Sequence, residues 1–107
     1  MTHKVTADDF QEKVLDAEGI VVVDFWAAWC GPCIALGPTL EQVGKDAEGK
    51  AKVMKLNVDE NNAIAAKYQI RSIPNVKIFK DGEVVKDLVG LMPKEVYLQA
   101  IDKASAE

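Results

Sequence analysis

Arginine and histidine occur only once each in this sequence, at Arg71 and His3, and cysteine only twice, at Cys30 and Cys33. The remaining basic residues are scattered lysines that form no run, and the formal net charge is −4. Nucleic-acid binders carry a basic face, so this pattern argues against that class of partner. Long hydrophobic runs are missing as well. The most apolar stretch, Ile20–Trp26, is interrupted by Asp24 and falls far short of the ~20 residues that span a bilayer. The opening residues, M-T-H-K-V-T-A-D-D-F, carry acids where a secretion signal has its apolar centre. The expectation is a protein of the cytoplasm, neither exported nor held in a membrane. Glycine and proline are sparse, and no repeat, linker or low-complexity tract interrupts the chain.

What is present suits one ordinary domain over residues 1–107. With 49% hydrophobic and 28% charged residues, such a chain buries a real core and needs no disulfide staples. His3–Val5 reads as a short first strand. Thr6 and Asp9 form a variant capping box ahead of a helix that puts Phe10, Val14 and Ala17 on one face, and Gly19 ends it. Ile20–Ala27 is too continuously apolar for a half-exposed strand, so it reads as a central strand buried on both faces. A helix follows from about Pro32 to Ala47, with Pro38 inside it. Ala51–Val58 is the next strand, and Asp59 is placed to cap a short helix through Ala63, Ala66 and Lys67. Val76–Lys80 and Val84–Val89 flank Asp81-Gly82 as an antiparallel hairpin. Pro93 opens a last helix with Val96, Tyr97, Ala100, Ile101 and Ala104 on its apolar face. The order βαβαβαββα gives an α/β fold: parallel crossovers first and an antiparallel hairpin last, hence a mixed sheet with helices on both faces.

The cysteines stand as C-x-x-C, and three readings compete. A structural staple closing so short a loop is worth only about 2 kcal/mol before strain. A closed zinc site needs four ligands, and only His3 joins the two cysteines. The chemical reading uses position. A buried strand ends and a helix begins at Cys30, where the helix dipole favours a thiolate. Cys33, one turn on, is expected to be the more buried and less ionised. An exposed thiolate beside a protected thiol is what disulfide exchange requires: Cys30 attacks a substrate disulfide and Cys33 resolves the mixed disulfide. Cys33 must lose a proton to do so. Asp24, a carboxylate in an apolar strand six residues before Cys30, is made more basic by burial and can accept that proton directly or through one water. Lys55 on the next strand is the expected partner that limits the cost of burying it.

Several motifs in fixed order then carry a resemblance. V-D-F-W-A-A-W-C-G-P-C spans 23–33 with Pro38 behind it, followed by K-L-N-V-D at 55–59, I-R-S-I-P at 70–74, F-K-D-G at 79–82 and V-G at 89–90. Over essentially its whole length the chain resembles the thioredoxin family. The resemblance implies a thioredoxin fold around a five-stranded sheet and a protein-disulfide reductase activity with no bound cofactor and no metal. Regeneration would come from a thioredoxin reductase or equivalent donor, the substrates would be protein disulfides, and the protein would work as a monomer. It further implies Cys30 as attacking thiol, Cys33 as resolving thiol, Asp24 as the buried acid and Lys55 as its neighbour. Pro74 corresponds to a cis-proline beside the disulfide, and the backbone at Ile73 would receive an extended substrate segment. Trp29, Gly31, Pro32, Ile73 and Gly90 would form a flat apolar surface around Cys30. Phe25, Trp26, Tyr68 and Tyr97 read first as packing residues, with Trp26 also buttressing the active-site loop.

The chain departs from the common pattern of that family at Ile34, where lysine usually follows the second cysteine, and at Ala28 and Asn75. Loss of the cation removes favourable charge beside Cys30 and enlarges the apolar surface. Two rivals stand beside the reductase: a disulfide oxidant or isomerase, against which Gly31-Pro32 between the cysteines argues by resemblance, and a redox-silent interaction module of the same fold.

Overall fold

The computed structural model describes residues 2–107. Its elements are β1 (Thr2–Lys4), a π-helical turn (Gln11–Leu15), β2 (Ile20–Trp26), α1 (Gly31–Asp46), β3 (Ala51–Asn57), α2 (Asn62–Lys67), β4 (Asn75–Lys80), β5 (Glu83–Val89) and α3 (Lys94–Ala106). The strands form a five-stranded sheet in the order β1-β3-β2-β4-β5. β1, β3 and β2 run parallel, while β4 is antiparallel to both β2 and β5. The α/β class and the mixed sheet follow the sequence reading.

β2 is the central strand, and its run of Ile, Val and Phe is buried on both faces. Alternation splits it. Ile20 and Val22 face α1 and α3, where they pack with Leu36, Leu40, Val43, Tyr97 and Ile101. Val21, Val23 and Phe25 face the other way, against Phe10, Val14 and Phe79, with Ile64 and Tyr68 closing that side. Phe10 and Tyr68 each lie edge-on or tilted to Phe79 or to one another at 5.6–6.0 Å between ring centres. Each such side chain contributes about 1.5–3 kcal/mol by leaving water. The even-numbered face matters for function, because Asp24 falls on it.

Two local expectations are corrected. The segment after Thr6 is a π-helical turn, not an α-helix running to Gly19. Asp16 N–H donates to the Gln11 carbonyl at 2.8 Å, an i→i+5 bond. The wider turn lets Phe10 and Val14 both reach the sheet within the short connection from β1 to β2. The Thr6–Asp9 cap does form, with Asp9 Oδ1 accepting from Thr6 N–H at 2.7 Å. The second correction concerns Asp59, which caps nothing: α2 begins at Asn62 behind Asn61, without a side-chain cap. Asp59 sits earlier because Asn57 Oδ1 folds the chain back, accepting from the Asp59 and Glu60 N–H groups at 2.9 and 3.2 Å.

The hairpin turns at Asp81 (φ +50°) and Gly82 (φ +85°), the paired left-handed residues of a type I′ turn. A Cβ on Gly82 would collide with the Leu15 carbonyl oxygen, so the hairpin tip packs on the end of the π-helical turn. Gly19 and Asp81 exchange two hydrogen bonds at 2.7 and 2.9 Å and hold that tip to the start of β2.

Candidate active site

The site grows from the carboxyl end of β2. Beyond Trp26 the chain turns, with Cys30 N–H donating to the Ala27 carbonyl at 3.2 Å. Cys30 is extended (φ −91°, ψ 107°) and stands at the N-cap of α1. Pro32 occupies the first turn, where its missing N–H costs nothing. Cys33 N–H donates to Cys30 Sγ at 3.2 Å, so the sulfur takes the acceptor role that Ser or Asp plays at other N-caps. The two cysteines are joined as a disulfide with Cα atoms 5.2 Å apart.

The expected contrast in exposure is absent in this disulfide form: Cys30 is 4% exposed and Cys33 3%. Trp26, Val58 and Ile73 pack around the pair and shield both sulfurs. The asymmetry lies in position instead, Cys30 before the helix and Cys33 inside its first turn.

Ile73–Pro74 is a cis peptide, as the resemblance implied, and the Ile73 carbonyl oxygen lies 3.7 Å from Cys30 Sγ. Ile73 is half-buried and Pro74 is buried. The Pro74 carbonyl accepts from Gly90 N–H at 2.8 Å. Gly90 has φ +98°, and a Cβ there would meet nothing. Its glycine serves the left-handed bend and leaves open space beside Ile73.

Asp24 is fully buried, and neither carboxylate oxygen accepts a hydrogen bond among the described residues. It pairs in register with Lys55 of β3 and Val76 of β4. Burial pushes its pKa up to about 7, against the pull of the Lys55 charge. Lys55 is not its ion-pair partner among the described residues. Its Nζ instead lies 4.4 Å from the centroid of the Trp26 ring, two residues along β2 on the same face, where the π cloud attracts a cation. Lys55 therefore softens the burial of Asp24 at a distance without satisfying it.

Trp29 is 71% exposed, yet its indole N–H donates to Asp59 Oδ2 at 2.8 Å. The contact spans thirty positions in sequence, and no local pattern announces it. Gly31, Pro32 and Ile34 are exposed beside it on α1. Leu91, which the sequence reading passed over, is exposed next to Gly90. A groove of about 260 Å³ is lined by Trp29, Val58, Asp59, Arg71 and Ile73, of which Val58 and Ile73 also pack against the cysteine pair. Among the described residues no three His, Cys, Asp or Glu side chains cluster to hold a metal, and no helix is long and apolar enough to cross a membrane.

The chain matches the family profile described as Thioredoxin over residues 1–103. It is 52% identical over 100 residues to a thioredoxin of Chlorobaculum thiosulfatiphilum, a span covering 94% of this chain and 93% of that protein. The chain belongs to the thioredoxin family. A thioredoxin of Staphylococcus aureus is 51% identical over 100 residues, 94% of each chain. The mixed sheet with its flanking helices is accordingly the thioredoxin fold. The activity is that of a thiol–disulfide oxidoreductase, a protein-disulfide reductase working by dithiol–disulfide exchange. Thioredoxin-family membership implies a thioredoxin reductase and disulfide-bearing substrates as its partners, and the family needs no cofactor.

Proposed function

We propose that Cys30 is the attacking thiol of this exchange and Cys33 the resolving one. The observation that carries the assignment is the Cys33 N–H donating to Cys30 Sγ at the N-terminus of α1. A backbone donor and the positive end of a sixteen-residue helix both favour negative charge on that sulfur and on no other. The Cys30 thiolate attacks one sulfur of a substrate disulfide, forming a mixed disulfide and releasing the other sulfur as thiolate. Cys33 then gives its proton to Asp24 and attacks Cys30. The second substrate thiol leaves, the substrate has gained two electrons, and the Cys30–Cys33 disulfide has formed. An acid with a pKa near 7 can both take and return a proton at neutral pH. Lys55 tunes that acid from its place over Trp26.

Trp29, Gly31, Pro32, Ile73 and Gly90 serve as the docking surface, with Pro74 holding Ile73 and Gly90 in place. Residues 1–107 act as one domain, working as a monomer in the cytoplasm on protein disulfides and regenerated by a thioredoxin reductase. The family match over 1–103 supports this part of the reading. Incubated with disulfide-bearing proteins, Cys33→Ser is expected to accumulate mixed disulfides through Cys30, whereas Cys30→Ser accumulates none. Equal trapping by both variants would show the nucleophile to be misassigned.

A further inference from the structure

Tyr97 of α3 is the largest fully buried side chain in the protein, and packing alone accounts for its ring but not for its hydroxyl. That hydroxyl donates to the Gly90 carbonyl at 3.3 Å, and the Met92 backbone lies near enough to influence its ionisation. Gly90 is followed directly by Leu91, which is 53% exposed. On its other side Gly90 donates to the Pro74 carbonyl at 2.8 Å. A continuous path runs from helix α3 through Gly90 to the cis-proline segment that borders Cys30. Burial, with the charge of Asp24 adding to it and the Met92 contact opposing, raises the pKa of the phenol, so the hydroxyl stays a donor at every working pH.

We propose that the Tyr97 hydroxyl is a positioning group that fixes the Gly90–Met92 segment against Pro74 and thereby presents Leu91 as part of the protein-docking surface. The proposal rests on the docking reading above and adds to it a residue from outside the cysteine site. A leucine or phenylalanine would fill the same core space. The phenol adds a donor for the Gly90 carbonyl from inside a helix, since its polar tip lies at the far end of an apolar body. A left-handed glycine at 90 leaves the loop free to open unless something holds it.

The test is Tyr97→Phe, which removes one oxygen and keeps the ring. Two quantities are read against the unaltered protein: steady-state reduction of insulin disulfides with dithiothreitol as electron source, and amide hydrogen exchange followed by NMR. Loss of one hydrogen bond corresponds to roughly a two- to tenfold effect. KM for insulin is expected to rise by that factor with kcat falling far less. The Gly90 and Met92 amides are expected to exchange faster by a similar factor while Val22 in β2 keeps its rate. Unchanged exchange at Gly90 and Met92 overturns the pinning. Faster exchange there with an unmoved KM overturns the role in docking. A uniform acceleration across the sheet, with KM and kcat changing together, would make Tyr97 a packing residue and overturn the proposal. If the unaltered protein reduces no insulin, the disulfide-exchange reading fails, and the exchange rates still decide whether Tyr97 holds the loop.

Discussion

Replacing Asp24 by Asn should make the protein more stable, and by an amount that grows with pH. In the folded protein the Asp24 pKa is about 7, against an ordinary value of 3.8. Between these two values the folded state binds a proton that the unfolded chain has released. Stability therefore falls as pH rises through that window and stays low above it. The separation is about three units, each worth ~1.4 kcal/mol, so roughly 4 kcal/mol of stability is lost between acid and alkaline pH. Well below pH 3.8 the carboxyl is neutral in both states, and Asn, of nearly the same shape, should differ from it by less than about 1 kcal/mol. Above pH 8 the variant should be more stable by about 4 kcal/mol. Urea unfolding of both proteins in the disulfide form, at intervals from pH 3 to 9, reads this directly, because titrating groups not coupled to Asp24 cancel in the difference. A difference that stays flat with pH would mean that Lys55 compensates the burial completely. A variant less stable at pH 9 would reverse the sign of the reasoning altogether.

Two further perturbations test the surroundings. Ile34→Lys restores a cation on the exposed first turn of α1, so the pH midpoint of Cys30 alkylation should move down by a few tenths of a unit; an unmoved profile would refute any electrostatic influence of this position. Gly82→Ala and Gly90→Ala both place a side chain at positive φ, but only Gly82 faces a backbone oxygen. Gly90→Ala should lose about 1–2 kcal/mol and Gly82→Ala clearly more, as read by thermal unfolding, and equal losses would show that the Leu15 contact is easily relieved.

The course of the sheet is written in residues that repeat a simple period. Ile20–Trp26 announces a doubly buried strand, Asp81-Gly82 a hairpin turn, and Cys30 with Pro32 a helix start. What the chain order hides is where polar side chains go once distant segments meet. Lys55 and Asp24 are neighbours in register, yet the ammonium prefers the ring of Trp26, a choice set by geometry across two strands. Asp59 has the composition of a helix cap and instead holds Trp29. The π-helical turn differs from an α-helix by one residue per turn, less than the apolar spacing of Phe10 and Val14 can distinguish. The cis bond at Pro74 was legible only through family resemblance, since trans is the commoner state before proline. Tyr97 reads as an apolar helix position because its period says so, and the period is silent about its oxygen.

The bond between Trp29 and Asp59 has a consequence for how partners associate. A large aromatic ring standing free in water normally loses rotamer freedom when a partner covers it, at about 0.5–1.5 kcal/mol. Here the ring is oriented before any encounter, by an acceptor on a separate loop. On the docking reading proposed above, association then requires little ordering on this side of the interface. A protein that must bind a disulfide-bearing substrate and then let it go is served by a ring already held in place.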